Sequence, residues 1–235
     1  MRTAGCAASA VLGLVMLLPL APAKAAQLVV VEARGIGLRP GETLDGDKPL
    51  SLQQGQHVTL ISQSGATLKL DGPYDQAPGA EGNAGTNLAS LFQPLIARQE
   101  PRTSEVGVVR GAPAATRLPD PWLINVSRTG NVCLREGELP LLWRPSDARQ
   151  ATLSLMPGDR SWKAQATWPG GTDRLLVPAT VPLHAGATYL ASLDGGEVAI
   201  TLNAVPSVLA NDAMRAAWMV QKGCEAQAEA LLHRQ

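Results

Sequence analysis

The stretch His57-Val-Thr-Leu-Ile-Ser-Gln-Ser-Gly-Ala-Thr-Leu-Lys-Leu70 decides the fold class of this chain. In its first half Val58 and Leu60 are separated by a polar residue, and in its second half Leu68 and Leu70 are too. A Gln-Ser-Gly connection between the halves has turn composition. Because side chains alternate between the two faces of a strand, the pattern predicts a β-hairpin with one buried and one wet face.

Short β-type runs separated by Gly, Pro, Asn and Asp continue on both sides of this hairpin. Upstream, Gln27–Ala33 and Ile36–Leu38 have strand composition, and downstream of Arg102 more than seven further runs follow at short spacing. Asp194-Gly195-Gly196 is the strongest hairpin turn among them, since Gly tolerates positive φ. The chain is therefore predicted to be mainly β, with two β-sandwich or β-roll domains, a short connecting helix and a C-terminal helix.

The predicted organisation follows the changes in composition along the chain. Its parts are a signal peptide (1–25), a first β domain (26–75, which 103–111 could complete), a Gly/Ala-rich loop with a short helix (76–102), a β-sandwich (115–205) and a C-terminal helix (206–235).

The first residues have the layout of a secretory signal peptide. Arg2 is followed by an apolar run of about 14 residues, shorter than the ~20 needed to span a bilayer, and then by Ala23-Lys24-Ala25. We expect cleavage after Ala25 or Ala26, export to the periplasm, and no membrane span after cleavage.

The charge balance argues against two classes of partner. Without Arg2 and Lys24, the 20 basic residues fall to 18 against 20 acidic ones, a formal charge of −2 with no block of like charge. Proteins that bind nucleic acids or anionic membrane surfaces usually do so through clustered Lys and Arg residues. We expect neither as a partner.

Two cysteines, Cys133 and Cys224, remain after the predicted cleavage. An even count in an oxidising compartment favours a disulfide over two free thiols. Closing a loop of about 92 residues would stabilise the fold by about 4–5 kcal/mol in the chain-entropy model. The bond would fasten the C-terminal helix to the second β domain.

No arrangement of residues in the sequence indicates catalysis. There is no Gly-x-Ser-x-Gly elbow, and His57, His184 and His233 are far apart without metal-ligand spacing. We predict a non-enzymatic protein with no catalytic residues, no cofactor and no metal site.

One apolar helical face is predicted in the connection between the domains. Leu88, Leu91, Phe92 and Leu95 recur at helical spacing, although Pro94 would shorten or kink the helix. This face either packs on the first domain or docks a partner.

Trp162 and Trp168 are the other candidate ligand surface. Tryptophans on an exposed sheet face can stack on sugars or peptides, but they also form cores because each buries a large area. Both interpretations stay open from the sequence.

Short motifs in the first domain resemble the periplasmic β domain of FecR-type proteins. They are Gly41-Glu-Thr-Leu44, Leu50-Ser-Leu52, Gly55-Gln-His-Val-Thr-Leu60, Ser64-Gly-Ala-Thr-Leu-Lys-Leu-Asp-Gly-Pro73 and Glu105-Val-Gly-Val-Val-Arg-Gly111. The segments Leu142-Trp-Arg-Pro145 and Leu183-His-Ala-Gly-Ala-Thr-Tyr-Leu190 make the second domain similar to immunoglobulin or fibronectin-like modules.

This resemblance implies a binding, interaction or signalling scaffold at the cell envelope. FecR-type domains usually follow a cytoplasmic segment and a transmembrane helix, whereas this sequence begins with a cleavable signal, so direct control of a sigma factor is not implied. The expected partner is another envelope protein or a glycan. The alternatives are an envelope polysaccharide or peptidoglycan binder or hydrolase, and a structural subunit docking through 88–98.

Overall fold

A computed structural model of the chain describes residues 26–81, 117–145 and 149–234, and within them the fold is mainly β, as predicted. Two α-helices, α1 (Asp212–Gln221) and α2 (Glu225–Leu232), lie near the C-terminus, and a 3₁₀ turn covers Pro78–Glu81. The strands are β1 (Gln27–Arg34), β2 (Thr43–Asp45), β3 (Leu50–Leu52), β4 (His57–Ser62), β5 (Thr67–Asp71), β6 (Tyr74–Gln76), β7 (Leu123–Asn125), β8 (Gly130–Arg135), β9 (Leu141–Trp143), β10 (Ala151–Pro157), β11 (Ala164–Trp168), β12 (Arg174–Leu176), β13 (Thr188–Leu193) and β14 (Gly196–Val205).

The N-terminal β unit consists of an antiparallel sheet in the order β2-β1-β4-β5 and a two-stranded ribbon of β3 and β6. The hairpin predicted from 57–70 is β4 and β5, joined by a turn in which Gly65 has φ +82°. A Cβ at Gly65 would lie 2.9 Å from the carbonyl oxygen of Ala213, so only glycine fits beside α1. Ile36–Leu38, expected to be a strand, is not one, because the chain bends immediately after β1.

Strand β1 is buried on both faces, which explains its unbroken apolar run. Leu28 and Val30 pack into the core of the N-terminal unit, against Val58 and Leu60 among others. The intervening valines point the other way, toward the C-terminal helices. A strand covered on both sides has no wet face and therefore no alternation.

The second β unit is a sandwich of two facing sheets. Five strands in the order β11-β10-β13-β14-β8 cover three strands in the order β12-β9-β7. All neighbouring strands are antiparallel except β14 with β8 and β7 with β9. Side chains from both sheets share one core, including Ile124, Leu142, Trp168, Tyr189 and Ile200.

The chain ends in two helices rather than the single helix predicted for 206–235. Gly223 adopts φ +75° and ends α1, where the N–H of Cys224 bonds to the carbonyl of Met219. A Cβ on Gly223 would lie 2.7 Å from the Asn131 amide nitrogen, a contact that this side chain can relieve by moving, so the positive φ is what favours glycine there. The break turns α2 back beside α1.

These helices join the two β units. One buried cluster contains Val29 and Ile61 of the N-terminal sheet, Val205 of β14, and Met214 and Trp218 of α1. The sequence predicted contact with the second unit only. Within the described ranges no helix combines the length and the apolar character that crossing a membrane demands.

Candidate functional site

Cys133 and Cys224 are brought together as predicted. Cys133 lies in β8, Cys224 lies between α1 and α2, and their Cα atoms are 5.9 Å apart with the sulfur atoms at bonding distance. Both side chains are buried. The pair therefore fastens the helices to the edge of the five-stranded sheet.

Gln227 completes this junction, and sequence reasoning missed it. Its carbonyl oxygen accepts the N–H of Cys133 at 2.6 Å, and its amide nitrogen donates to the carbonyls of Cys133 at 2.7 Å and Pro121 at 2.8 Å. Strand β8 is the last of its sheet, so Cys133 would otherwise present an unpaired N–H and C=O. The side chain takes the place of a neighbouring strand, a role that no local sequence pattern announces.

A further link joins β8 to the start of the helical region. Ser207 donates its backbone N–H and its hydroxyl to the Glu136 carboxylate, at 3.0 and 3.1 Å. These hydrogen bonds, the backbone one first, hold the pKa of Glu136 below its ordinary value. The two bonds stabilise the charged Glu136 carboxylate and connect the end of β8 to the segment that follows β14.

Trp168 is a core residue and not a ligand surface. Its side chain is 0% exposed, and its indole N–H donates to the carbonyl of Thr172 at 3.1 Å. The sequence suggestion that Trp168 could stack on a sugar is wrong, because both ring faces are covered. Trp162 is half-buried, with its ring 6.0 Å from that of Tyr189, and keeps part of its surface.

The predicted helical face of Leu88, Leu91, Phe92 and Leu95 lies outside the described residues, as does 103–111. Among the residues that the structure does describe, no three His, Cys, Asp or Glu side chains group closely enough to hold a metal ion. His57 and Asp71 contact each other across β4 and β5, and both are exposed.

The outer edge of β11 is an accessible part of the sandwich. Among the described strands, β11 pairs with β10 alone, and Gln165, Ala166 and Thr167 are exposed. Charged residues or prolines usually protect such edges, but the strand Ala164–Trp168 contains neither. No described strand pairs with its other backbone edge.

A groove of about 100 Å³ lies beside this edge, between β11 and the edge strand β12 of the facing sheet. Its lining is almost entirely apolar and includes Leu155, Ala164, Ala166, Leu175, Val177 and Val181. Leu176, 55% exposed, lies at the same groove and has the largest exposure of the large hydrophobic side chains that the structure describes.

The groove and the β11 edge together form the candidate binding site, which we call the β11 site. Backbone groups along the strand can pair with an extended chain, and the groove can take its apolar side chains at alternate positions. Nothing in this lining is suited to acid–base or nucleophilic chemistry, because the polar side chain it contains is the amide of Gln165.

Comparison with known proteins adds no family. No family model matches the chain, and no curated protein matches it.

Proposed function

We propose that this protein is a non-enzymatic binding scaffold of the cell envelope that holds an extended segment of a partner protein at the β11 site. The carrying observation is an uncharged, proline-free strand edge beside an apolar groove. Adding a strand to such an edge provides affinity through main-chain hydrogen bonds and specificity through pockets for alternate side chains.

The proposed location is the periplasm. It is supported by the signal-like residues 1–25 and by the pairing of Cys133 with Cys224, since disulfides persist in oxidising compartments. Edman sequencing of the protein from a periplasmic fraction should begin at Ala26 or Gln27. A full-length protein retained in the cytoplasm would contradict this part of the proposal.

The FecR-type resemblance supports a relay or scaffolding role for the N-terminal unit. Because the helices join that unit to the sandwich through one buried cluster, a partner bound at β11 would be held rigidly relative to it. Of the two tryptophans that suggested glycan binding, only Trp162 keeps an exposed surface, since Trp168 is buried.

Site-specific photo-crosslinking in the periplasm tests the β11 site. A photoreactive phenylalanine analogue placed at Ala166 should give a discrete protein adduct, whereas the same analogue at Gln54, an exposed turn residue, should give none. Leu176→Lys should abolish the adduct, because it puts a charge at the mouth of the apolar groove.

Two outcomes would reject this function. One is the absence of an adduct at Ala166 in protein shown to be folded by circular dichroism. The other is an adduct of equal yield at Gln54, which would mean that crosslinking follows exposure and not the site.

A further inference from the structure

The hydrogen bonds of β10 indicate which backbone groups of β11 face outward. At one end of β10, the N–H of Asp194 donates to the carbonyl of Thr152 at 3.2 Å. Just beyond the other end, the N–H of Gly158 donates to the carbonyl of Thr188 at 3.1 Å. In an antiparallel sheet the N–H and C=O of one residue face the same neighbouring strand, and successive residues alternate between the two neighbours. The even-numbered residues of β10 therefore face β13, and the odd-numbered residues face β11.

The register of β10 with β11 extends this alternation to β11. Leu153 lies opposite Ala166. Because Leu153 is odd-numbered and faces β11, Ala166 uses its own N–H and C=O to pair with β10. The N–H and C=O groups of Gln165 and Thr167 consequently point to the outer edge of the sheet. No described strand pairs with that edge.

The groove of the β11 site lies beside these outward-facing groups. Ala164 and Ala166 line it together with Leu175 of β12, and its volume is about 100 Å³. Pockets for whole small molecules usually have volumes of roughly 300–1,000 Å³, so this groove is of a size for side chains. Side chains of directly paired residues share one face of a sheet. A chain that pairs with Gln165 and Thr167 would therefore direct every second side chain into the groove.

Ala164 occupies the more enclosed part of this groove, since it is half-buried whereas Ala166 is exposed. Its methyl group leaves room that a larger residue would fill. The lining contains no charged residue, so a charged ligand side chain would lose its hydration there without gaining a partner. Branched aliphatic side chains both suit an apolar groove and favour the extended conformation that strand pairing needs.

We propose that Gln165 and Thr167 bind the main chain of the partner segment, that Ala164 determines which side chain is accepted, and that the segment has branched aliphatic residues at alternate positions. This assignment rests on the proposed function and adds the ligand class and the residues that select it. The carrying observation is the register of β10 with both of its neighbours.

Amide hydrogen exchange of the ¹⁵N-labelled, disulfide-intact protein tests the register without a ligand. The amide of Ala166 should exchange at least about tenfold more slowly than those of Gln165 and Thr167, because of these three only Ala166 donates into the sheet. Faster exchange at Ala166 than at its two neighbours would overturn the proposal. Protection of Gln165 and Thr167 in the free protein would also overturn it, since the edge would then be paired already.

Proline substitutions test the same register through stability. Gln165→Pro should leave the urea midpoint close to that of the wild type, since proline is tolerated where an edge N–H faces solvent. Ala166→Pro removes an N–H that pairs with β10 and should lower the midpoint. The opposite order of the two midpoints would contradict the register.

Two capped peptides of one composition test the ligand class. Each has a lysine at both ends, two valines and three threonines, and the valines are separated by one threonine in the first peptide and adjacent in the second. The first peptide should give saturable shifts of the Gln165 and Thr167 amides and slow their exchange. The second should bind about tenfold more weakly, because only one of its valines can face the groove.

Ala164→Leu should weaken binding of the first peptide about tenfold, because leucine fills the groove. Ala226→Leu is the matched control, since it makes the same substitution at an exposed residue of α2, and it should leave the affinity unchanged. Equal binding of the two peptides, or equal effects of the two variants, would overturn the proposal.

The periplasmic adduct at Ala166 distinguishes failure of this ligand class from failure of the proposed function. A discrete adduct together with no response to either peptide would reject the ligand class and retain the proposed function. Binding of the first peptide at β11 without any adduct in the periplasm would reject the proposed function and retain the ligand class.

Discussion

Replacing Gln227 by leucine removes every hydrogen bond that this side chain makes to the edge of β8. The N–H and C=O of Cys133 and the C=O of Pro121 would lose their partner in a region where Gln227 itself is 2% exposed. Each buried polar group without a partner costs about 1–3 kcal/mol, and three groups lose theirs. We therefore expect Gln227→Leu to lower the free energy of unfolding by about 3–5 kcal/mol, the lower part of their sum. Such a loss is a large part of the stability of an ordinary domain.

Urea unfolding of the disulfide-intact protein, followed by circular dichroism, measures this change. Gln54→Leu makes the same chemical substitution at an exposed turn and should shift the free energy of unfolding by less than about 0.5 kcal/mol. A loss below about 1 kcal/mol in Gln227→Leu would refute the reasoning, because it would mean that water satisfies the strand edge when the amide is absent.

In the variant Gln227→Glu, the free energy of unfolding should depend on pH through the introduced carboxyl group. The introduced carboxylate could accept the Cys133 N–H, but its second oxygen would face two carbonyls in a buried site, which raises the pKa of the carboxyl in the folded state. A raised pKa means that the folded state binds the proton more tightly, so this variant should lose stability as the pH rises through that pKa. Its deficit relative to the wild type should shrink in acid, and a deficit independent of pH would contradict the assignment.

The other predictions concern the links around the helices. Replacing Cys133 and Cys224 together by serine should lower the free energy of unfolding by about 4–5 kcal/mol, measured by urea unfolding against the parent protein with its disulfide intact. When the parent is denatured without reductant, neither Cys133 nor Cys224 should react with a thiol reagent. The side-chain oxygen of Asn211 caps α1 by accepting the backbone N–H of Met214 at 2.9 Å. Asn211→Ala removes this cap and should lower the midpoint of thermal unfolding by an amount equivalent to about 1 kcal/mol. The hydrogen bonds from Ser207 lower the pKa of Glu136, so the stability that they add is present above the unfolded-state pKa and is lost as the pH falls through the folded-state pKa. Glu136→Gln should flatten that part of the profile of stability against pH. An unchanged profile would contradict this role of Glu136.

The sequence alone determined the β class and several of its elements. The alternation in 57–70 was sufficient to predict β4, β5 and the turn between them, because each strand buries one face and wets the other. The two cysteines that remain after the predicted cleavage indicated the link between Cys133 and Cys224, since an even count favours a disulfide if the compartment is oxidising.

Tertiary structure decided which face of each element is covered. Trp168 could have been a binding surface or a core residue, and only the packing of the second sheet against it settled the question. The C-terminal helix is divided at Gly223, whose positive φ ends α1, and the role of Gln227 depends on a strand edge 94 residues away in the sequence. Local periodicity in the sequence reflects the exposure of a single helix or strand. The burial of Trp168 and the role of Gln227 depend instead on residues distant in the sequence that pack against them.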